Sequence, residues 1–414
     1  MKVWYISAYD QPSGQSPRTH EFAIELVKRG HEVTFYTNSY CHFTGRERLD
    51  AGESWREEYV DGVRVVWLKV PSFKGNGIGR GINMVWNYFR AISVSRFLDD
   101  VPDVVIGPTV PLLTGYAAAR VARRYGVPFI LEIRDVWPIA LVYNGGLMFQ
   151  GPLYLVFRAL EKWLYKNSAL ICSTLPFVHE HVRSSGADPS KIEWIPNGVS
   201  LSSFELPEVT APRLDGKILV MYVGGFGLDH DVPVIIRAAR LLQDAGDNRF
   251  YFKIIGSGVR KPECVEMANL YGLNNLEFGD PVPKARLGSV QHEADVLVAA
   301  ITDTEALRFG LNLNKLCTYF ASGKPVVFAG NSPNNPVADS GAGFSVRAED
   351  ELQLVSALRA LAAMSPSERE CIGFLGRLYV ENNLSMTVLG AKMEALLIRA
   401  TGLMAVKNRK SSLI

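Results

Sequence analysis

A glycine-rich turn in the second half of the chain has the composition of a phosphate-binding loop. The stretch Val223 to Asp231, VGGFGLDHD, follows an apolar run typical of a strand and precedes an apolar, helix-like stretch. Glycines let backbone N–H groups approach an anion, and the start of the next helix adds a favourable dipole. Taken alone, the stretch is explained equally well as a tight strand-to-helix turn that binds nothing.

Two further turns favour the phosphate interpretation. Gly256 and Gly258 close the next apolar run, and Asn314 and Lys315 begin a later helix-like stretch. A lysine at a helix start opposes the helix dipole, and an anionic ligand would remove that conflict. Lys315 and Arg308 can supply the cations that a nucleotide diphosphate needs. Three such turns at carboxyl ends of predicted strands therefore predict a phosphorylated ligand.

The first half carries a charged cluster at the end of a predicted strand. In LEIRDVWPIALV, strand alternation places Glu132 and Arg134 on one side, while Asp135 begins the loop. Arg134 and Asp135 are candidates for contacting a sugar hydroxyl or a developing charge. An ordinary ion pair at a strand end is the alternative interpretation.

The triplet Asp229-His230-Asp231 has the D-x-D spacing of a metal-dependent diphosphate site. It also stands at a predicted helix N-terminus, where carboxylates accept hydrogen bonds from free N–H groups. We favour capping, so the sequence predicts no metal site.

A basic, aromatic stretch from Val63 to Leu98 contains no Asp or Glu. Its basic and aromatic residues fit contact with an anionic membrane surface. The alternative is a strand and helix whose aromatic residues are core and whose basic residues are solvated. The members are Arg64, Lys69, Lys74, Arg80, Arg90 and Arg96 with Trp86, Tyr88, Phe89 and Phe97.

Apolar strand-length runs alternate with helix-length stretches along most of the chain, which predicts parallel sheets built from βαβ units. The pattern stops at a polar stretch near residue 200 and restarts near residue 218. We therefore predict an α/β protein with two doubly wound domains, whose strand ends can face a cleft. The expected segments are 1–205, a linker at 206–217, 218–383, a helix at 384–402 and a flexible tail at 403–414.

Whole-chain properties exclude several classes of protein. The chain has 414 residues, 48% of them hydrophobic and 21% charged, as in soluble globular proteins. A formal net charge of +2 gives no case for nucleic acid. Met1 leads directly into a strand-like run and no uncharged run has the length of a membrane span, so a cytoplasmic location is expected. The 5 cysteines lie far apart without a Cys-x-x-Cys pair, so neither a disulfide framework nor a zinc site is expected.

Four stretches together resemble a known family over nearly the whole chain. They are ELVKRGHEVTFYT, RDVWP at Arg134 to Pro138, KIEWIPNGVSLSSF, and RFGLNLNKLCTYFASGKPVV from Arg308 to Val327. In order and spacing the sequence is similar to the retaining GT-B glycosyltransferases of glycosyltransferase family 4, in the branch that builds bacterial surface polysaccharides. The resemblance implies two Rossmann-like domains and closing helices that return to the first domain.

The resemblance also implies site residues. It places the donor diphosphate near Gly225, Phe226, Gly227 and Lys315, with Arg308 as a helper, and the base near Gly256 and Val282. Arg134 and Asp135 would orient the acceptor or the donor sugar, and Arg18 would contact the acceptor. The implied nucleotide-sugar set is Gly225, Phe226, Gly227, Gly256, Val282, Arg308, Asn314, Lys315, Leu316 and Thr318.

This chain departs from the family pattern at several positions. The paired glutamates of the family, separated by seven residues, fall at Gly310 and Thr318. An Arg and a Lys that many relatives carry in the first diphosphate loop align with Gly225 and His230. Lys315 and backbone N–H groups are therefore left to neutralise more of the diphosphate charge, and a threonine hydroxyl replaces the carboxylate that usually holds the ribose.

The resemblance implies a retaining transfer of a sugar from a nucleotide-sugar, with UDP as the expected nucleotide, to a lipid-linked or oligosaccharide acceptor. The leaving phosphate would act as the base, and no cofactor is implied. The expected partners are the donor, the acceptor and the inner face of a membrane. O-antigen, capsule or exopolysaccharide synthesis is the expected role.

Two other classes stay open at this stage. A GT-B-like sugar-nucleotide epimerase would need carboxylate acid-base partners, and a binding or scaffold protein could have kept the fold without the glutamates. A dehydrogenase is disfavoured because the opening turn after the first strand lacks G-x-G-x-x-G.

Overall fold

A computed structural model of the chain describes residues 1–12, 18–42, 44–75, 77–143, 148–204 and 216–411, without the side chains of residues 203 and 405–411. The chain forms two compact units. Unit 1 comprises Met1–Pro196 and Leu389–Ile414, and unit 2 comprises Asn197–Val388. Most of the expected linker, and most of the first turn PSGQSPRTH, lie outside the described residues.

Unit 1 is built on one mixed sheet, because apolar runs separated by helices pair as parallel strands that are buried on both faces. Its order is β10-β9-β8-β7-β1-β2-β6-β5, and only the β5–β6 pair is antiparallel. A short antiparallel pair, β3–β4, lies beside it. The strands are β1 Lys2–Ile6, β2 Glu32–Asn38, β3 Tyr40–Cys41, β4 Arg46–Glu47, β5 Trp55–Val60, β6 Val63–Leu68, β7 Val104–Pro108, β8 Phe129–Ile133, β9 Leu170–Ser173 and β10 Ile192–Trp194.

Strand β5 is absent from the sequence-based prediction. Its sequence, WREEYV, is mostly polar because it forms the edge of the sheet, and its residues are mostly half-buried. It joins β6 through a two-residue turn at Asp61 and Gly62, whose φ angles are 52° and 79°. Asp-Gly is a preferred pair for such a hairpin turn, since both central residues need positive φ.

The helices of unit 1 cover both faces of its sheet. They are α1 Arg18–Lys28, α2 Ile78–Val94, α3 Leu112–Tyr125, α4 Ile139–Tyr143, α5 Pro152–Asn167 and α6 His179–Ser184. None of the helices in the described part of the chain has both the length and the apolar content needed to cross a bilayer.

Unit 2 has a fully parallel sheet in the order β13-β12-β11-β14-β15-β16. Read as first to sixth strand, this is the 3-2-1-4-5-6 order of a doubly wound nucleotide-binding fold. The strands are β11 Ile218–Val223, β12 Phe250–Ile255, β13 Leu276–Gly279, β14 Val296–Ala300, β15 Val326–Ala329 and β16 Gly343–Val346. The predicted α/β class with two Rossmann-like domains is confirmed.

The helices of unit 2 alternate with its strands, and two more follow at its end. They are α7 Val232–Asp244, α8 Lys261–Leu270, α9 Leu287–His292, α10 Asn314–Ala321, α11 Pro336–Ser340, α12 Glu351–Ala362 and α13 Pro366–Tyr379. A short π-helical segment, Val380–Leu384, precedes the last helix, α14 Met386–Ser411.

Helix α14 leaves unit 2 and packs on unit 1 from Leu389 onward. The carboxylate of Glu394 lies 3.2 Å from Arg29 and 2.8 Å from His31. A Cβ on Gly390 would lie 2.2 Å from Cγ of Glu25, so glycine lets α14 approach α1 closely. The helix extends past the expected end at residue 402, because neither a proline nor a left-handed glycine interrupts it.

In unit 2 the order of the strands reverses between β11 and β14. Ligands of doubly wound sheets bind beyond the carboxyl ends of the strands at such a point. The turn after Val223, the last residue of β11, therefore lies where doubly wound sheets bind their ligands.

Candidate functional site

Two glycine-rich turns of unit 2 are stacked on each other. The N–H of Gly224 donates to the Ile255 carbonyl at 3.0 Å, and the N–H of Phe226 donates to the Ser257 carbonyl at 2.9 Å. The N–H of Arg260 returns to the Phe226 carbonyl at 3.1 Å. These bonds fix the turn after β11 against the turn after β12.

Gly256 and Gly258 permit this stacking. Their φ angles are +145° and +152°, a region that residues with a side chain rarely adopt. A Cβ on Gly256 would lie 1.8 Å from the Gly224 carbonyl oxygen, and one on Gly258 would lie 2.5 Å from the Phe226 carbonyl oxygen. Gly256 therefore allows the two turns to pack against each other. Its predicted position near the nucleotide base remains a prediction.

The members of the first turn have different roles. Phe226 has its ring fully buried in the core of unit 2, so only its backbone can meet a ligand. Gly225 has more room, since a Cβ there would meet nothing closer than His230 at 3.5 Å. Among the described residues its N–H has no hydrogen-bond partner. The N–H of Gly227 makes a long contact of 3.4 Å with Nδ1 of His230.

Lys315 lies beneath this turn. It is the second residue of α10 and only 9% exposed. Its Nζ donates to Oη of Tyr222 at 2.7 Å and lies 4.4 Å from the centre of that ring. A Cβ on Gly224 would lie 3.2 Å from the same Nζ, so glycine at 224 leaves the space that the ammonium group needs.

The Lys315 ammonium group is poorly compensated by the residues that the structure describes. Within the part of the chain that the structure describes, Lys315 forms no ion pair. Burial lowers its pKa to about 7, and the charge of Asp229 opposes this only in part. Burial and the nearby Lys315 charge also lower the pKa of His230. The surroundings of the turn are thus electropositive, and burial of the charged Lys315 ammonium group is unfavourable unless an anion binds.

Tyr222 is a site residue that sequence reasoning missed. Its hydroxyl accepts from Lys315 and donates to the Gly225 carbonyl at 2.5 Å, so it links the lysine to the turn. Burial raises the pKa of this hydroxyl well above its usual value, which keeps it protonated. Tyr222 belongs to β11 and looks like an ordinary core aromatic in the sequence, since only the fold brings Lys315 to it.

The Asp229-His230-Asp231 triplet is organised as a helix start. The Asp231 carboxylate accepts from the Val234 N–H at 3.2 Å and caps α7. Nowhere in the described ranges do three or more His, Cys, Asp or Glu side chains gather as a metal-binding group.

The residues at the two glutamate positions of the family differ in environment. Gly310 has φ +101°, a conformation that strains any residue with a Cβ. Thr318 is half-buried, and its hydroxyl donates to the Lys315 carbonyl at 3.0 Å and accepts from Nε2 of Gln291 at 3.1 Å. One lone pair of the Thr318 oxygen is left for a ligand.

The remaining candidates on unit 2 are placed less favourably. Arg308 is exposed and lies over the ring of Phe309 at 4.8 Å. Asn314 is exposed at the start of α10, whereas Leu316 is buried in the core. Val282 is half-buried and packs against the same core cluster.

In unit 1 the predicted pair at the end of β8 belongs to a buried charge network. Glu132 is fully buried, and its carboxylate accepts from Arg134 at 2.7 Å, from Arg18 at 3.0 Å and from Tyr5 at 2.6 Å. Burial raises its pKa, but the two guanidinium groups outweigh this and lower it to about 2. Glu132 is therefore ionised and compensated from both sides.

Arg134 has partners around its whole guanidinium group. Besides Glu132, it contacts the Asp10 carboxylate at 2.7 Å and donates to the Thr19 hydroxyl at 2.7 Å. Asp10 also accepts from the Thr19 N–H at 3.2 Å. These bonds fix the loop after β8, and the exposed side chain of Asp135 follows directly. Contact of Arg134 and Asp135 with a substrate remains a prediction.

Arg18 belongs to the same buried network. Its side chain is 6% exposed, and it donates to the carbonyl oxygens of Pro196 at 2.6 Å and Ile195 at 2.8 Å as well as to Glu132. It therefore ties the start of α1 to the end of β10. The geometry gives its predicted contact with an acceptor no support, because the guanidinium faces inward.

Comparison with known proteins assigns both halves of the chain. Residues 13–198 match the family model described as a glycosyl transferase 4-like domain, and residues 217–364 match the one described as glycosyl transferases group 1. The chain is 24% identical over 294 residues to a protein of Escherichia coli K12 named as a colanic acid biosynthesis glycosyl transferase, WcaI. That match covers 67% of this chain and 70% of WcaI.

Solved structures share the fold over almost the full chain. Sucrose-phosphate synthase from Thermosynechococcus elongatus has a TM-score of 0.70 at 15% identity, covering 95% of this chain and 98% of that one. HepE of Anabaena, solved with UDP and glucose, has a TM-score of 0.68 at 11% identity, covering 96% and 99%. At such identities the likeness concerns the fold. The two family matches together span most of the chain and, with its two Rossmann-like units, show that this chain is an enzyme that belongs to the GT-B glycosyltransferases.

Proposed function

We propose that the enzyme transfers a sugar from a UDP-sugar and that Lys315 neutralises the donor diphosphate. The observation that carries this proposal is a buried ammonium group, directly beneath a glycine-rich turn, that forms no ion pair with any other described residue. An isolated buried charge is unfavourable, and proteins normally pair it or change its protonation state. A bound diphosphate would supply the missing negative charge.

The turn offers the other contact that a diphosphate needs. The Gly225 N–H has no partner among the described residues, and the absence of a side chain lets a phosphate oxygen approach it. One N–H donor and one ammonium group on neighbouring elements can bind adjacent phosphate oxygens. Charge-assisted bonds of this kind are stronger than bonds between neutral groups.

UDP is proposed as the nucleotide because HepE, which shares the fold, was solved with UDP and with UDP-glucose. Thr318 is the proposed ribose contact. Its hydroxyl proton is already used by the Lys315 carbonyl, so it can only accept one hydrogen bond from a ribose hydroxyl. We expect ribose binding to be weaker than with the glutamate that the family carries at this position.

The proposed transfer retains the configuration of the sugar. The acceptor oxygen forms a bond to the anomeric carbon on the face from which the diphosphate oxygen departs. The acceptor proton passes to the leaving diphosphate, so no protein nucleophile is required. Lys315 and the turn N–H groups stabilise the negative charge that develops on the leaving group, and positioning of both substrates supplies the rest.

The proposed acceptor is a lipid-linked or oligosaccharide intermediate in the synthesis of a bacterial surface polysaccharide, such as O-antigen, capsule or exopolysaccharide. The similarity to WcaI, named for colanic acid biosynthesis, supports this class. Arg134 and Asp135 remain the proposed residues for orienting the acceptor or the donor sugar.

Thermal unfolding with a nucleotide panel tests the donor. UDP, GDP and ADP are compared at equal concentration, because a ligand that binds only the folded state raises its melting temperature by mass action. We expect the largest rise with UDP, and no rise with any nucleotide would contradict the proposed site. The anomeric configuration of the product, determined by NMR, then tests retention: an inverted linkage would overturn the mechanism.

A further inference from the structure

Helix α2 of unit 1 exposes far more apolar surface than an ordinary surface helix. Surface helices of globular proteins turn an apolar stripe to the core and polar residues to solvent. On α2 the apolar residues with large exposed areas recur at spacings of three and four, which places them on the outer side. They are Ile78, Ile82, Val85, Trp86 and Phe89, with exposed fractions of 85%, 48%, 44%, 45% and 62%.

The inner side of the same helix carries asparagines. Asn83 and Asn87 are fully buried. Asn87 donates to Oδ1 of Asn38 at 2.7 Å and accepts from Thr114 at 2.8 Å. Asn83 donates to the Pro71 carbonyl at 2.8 Å. Met84, Ala91 and Val94 are buried on the same side. Since these contacts and the asparagine bonds hold α2 to the domain, its outer apolar residues are not required for that attachment.

An arginine-rich pocket borders this outer face. It has a volume of about 630 Å³ and is lined by Tyr88, Phe89, Ile92, Arg96, Arg120, Arg123 and Arg124. None of the lining residues is acidic, and within the described ranges the four arginines form no ion pair. The guanidinium groups of Arg96, Arg120 and Arg123 form no hydrogen bond to other described residues, whereas that of Arg124 donates to the Ile92 carbonyl and to the Ser95 hydroxyl.

The predicted basic stretch from Val63 to Leu98 divides at this point. Its first part is strand β6, which is buried, and Arg64 there pairs with Glu57 and Asp100. Lys69 lies near Glu47 at 3.7 Å. The second part contains α2 and ends at the pocket, where Arg96 lies close to the exposed apolar side chains of the helix.

We propose that the outer face of α2 and the four-arginine pocket form a docking surface for an anionic phospholipid bilayer. The pocket would bind headgroup phosphates, and Trp86, Phe89 and their aliphatic neighbours would enter the headgroup and acyl boundary. Guanidinium groups match phosphate oxygens in bidentate geometry. Aromatic and aliphatic side chains on an interfacial helix are buried to a depth of about 5–10 Å in such a surface.

Charge favours a bilayer over a second copy of this chain. A symmetric dimer across this face would use the same patch on both subunits, which brings the two arginine clusters close together. Repulsion between the clusters would then oppose the apolar contact. An anionic bilayer instead complements the cations and the apolar residues at once.

The test measures binding of the full-length protein to vesicles of phosphatidylcholine alone and of phosphatidylcholine with phosphatidylglycerol. We expect binding only to the anionic vesicles, and a decrease as salt is raised. The triple variant Arg96→Ala, Arg120→Ala and Arg123→Ala should weaken this binding by roughly 100-fold, at about a factor of five for each residue. A triple variant of exposed cations elsewhere on unit 1, Lys28→Ala, Arg46→Ala and Arg183→Ala, should lose far less.

Insertion is tested separately by quenching with lipids brominated in the acyl chain. We expect Trp86 to be quenched, so that Trp86→Phe removes a large part of the quenching, and the double variant Ile82→Ser and Phe89→Ser to reduce vesicle binding. Equal binding by the arginine variant and its control would overturn the proposal. So would binding of inorganic phosphate at the pocket without vesicle binding, or a dimer in size-exclusion chromatography that the Ile82→Ser, Phe89→Ser variant dissociates.

This surface is independent of the donor site, although the choice of a membrane rests on the proposed acceptor. Melting temperature with UDP is therefore measured on each variant. A variant that no longer binds vesicles but whose melting temperature still rises with UDP has lost the docking surface alone. A wild-type protein that binds vesicles but not UDP contradicts only the proposed donor site.

Discussion

The two units bury charge in opposite ways. In unit 1, Glu132 lies between Arg18 and Arg134, and Asp10 compensates Arg134 from its other side. In unit 2, the Lys315 ammonium group donates to the Tyr222 hydroxyl and forms no ion pair with another described residue, and the Asp229 charge compensates it only in part. A buried charge that is compensated within the protein holds structure together, whereas one that lacks a partner is available to a ligand. We therefore interpret the charges around Glu132 as a structural cluster and Lys315 as part of a binding site, although both groups lie near carboxyl ends of strands.

The largest expected effect comes from removing the central charge of unit 1. Glu132→Gln leaves two buried guanidinium groups without their shared carboxylate, and we expect the free energy of unfolding to fall by about 3–5 kcal/mol. The folded pKa of Glu132 is about 2, below its unfolded value, so the carboxylate stabilises the protein above about pH 4.3 and this is lost as the pH falls toward 2.

Urea unfolding of the Glu132→Gln variant at pH 7 and at pH 3.5 measures this effect, which should shrink at the lower pH. Glu180→Gln is the matched control, because it breaks an exposed Glu–Arg pair that is expected to contribute at most about 1 kcal/mol. Equal destabilisation by both variants would show that the buried cluster is not structural.

Removing the uncompensated charge of unit 2 should affect activity instead. For Lys315→Met we expect turnover to fall by about 10²–10³-fold, the usual effect of losing one donor that stabilises developing negative charge. Steady-state kinetics with the UDP-sugar identified by the nucleotide panel measures this. Lys253→Met, which removes a half-exposed lysine of β12, serves as the control. Near-normal turnover of Lys315→Met would remove Lys315 from the mechanism.

The same Lys315→Met variant should be more stable than the wild type without a ligand, by about 1–4 kcal/mol at pH 6. The folded pKa of Lys315 is about 7 and its unfolded pKa about 10.4, so the folded state binds fewer protons between these values. Wild-type stability therefore rises with pH across that window, relative to the variant. Denaturant unfolding should show a smaller difference in the free energy of unfolding between variant and wild type at pH 9 than at pH 6. A variant less stable than the wild type would contradict the claim that the Lys315 charge is uncompensated.

The smallest expected effect concerns Tyr222. Tyr222→Phe removes the acceptor that positions Lys315 and the donor to Gly225, and we expect donor affinity to weaken by about 0.5–1.5 kcal/mol. Tyr251→Phe, which removes a hydroxyl on the exposed face of β12, is the matched control. Calorimetric titration with UDP compares the two variants, and an unchanged affinity would limit Tyr222 to packing.

The sequence predicted the framework because buried parallel strands are continuous apolar runs. The apolar strand-length runs of both halves correspond to strands, whereas β5, β16 and the short pair β3 and β4 were not predicted. Strand β5 was missed although Asp61-Gly62 is a hairpin signal. Because β5 lies half-buried at the sheet edge, its sequence is the mostly polar WREEYV instead of an apolar run. Edge strands carry less of the pattern that such reasoning uses.

Side-chain partners at the site could not be predicted in the same way. The Lys315–Tyr222 contact joins residues 93 positions apart, and Arg18 contacts Glu132 across 114 positions. Such pairs depend on strand order and register, which local patterns do not specify. The sequence likewise showed that α2 is basic and aromatic, but not that its asparagines face inward and its aromatic residues outward.

Proton uptake on donor binding tests the central claim most directly. At pH 8 the free Lys315, with a pKa of about 7, is mostly neutral, and a bound diphosphate should restore its charge. Calorimetric titration with UDP in two buffers of different ionisation enthalpy should therefore show uptake of about one proton by the wild type and none by Lys315→Met. Binding without proton uptake, or equal uptake by both proteins, would contradict the role of Lys315 as the ligand-compensated cation.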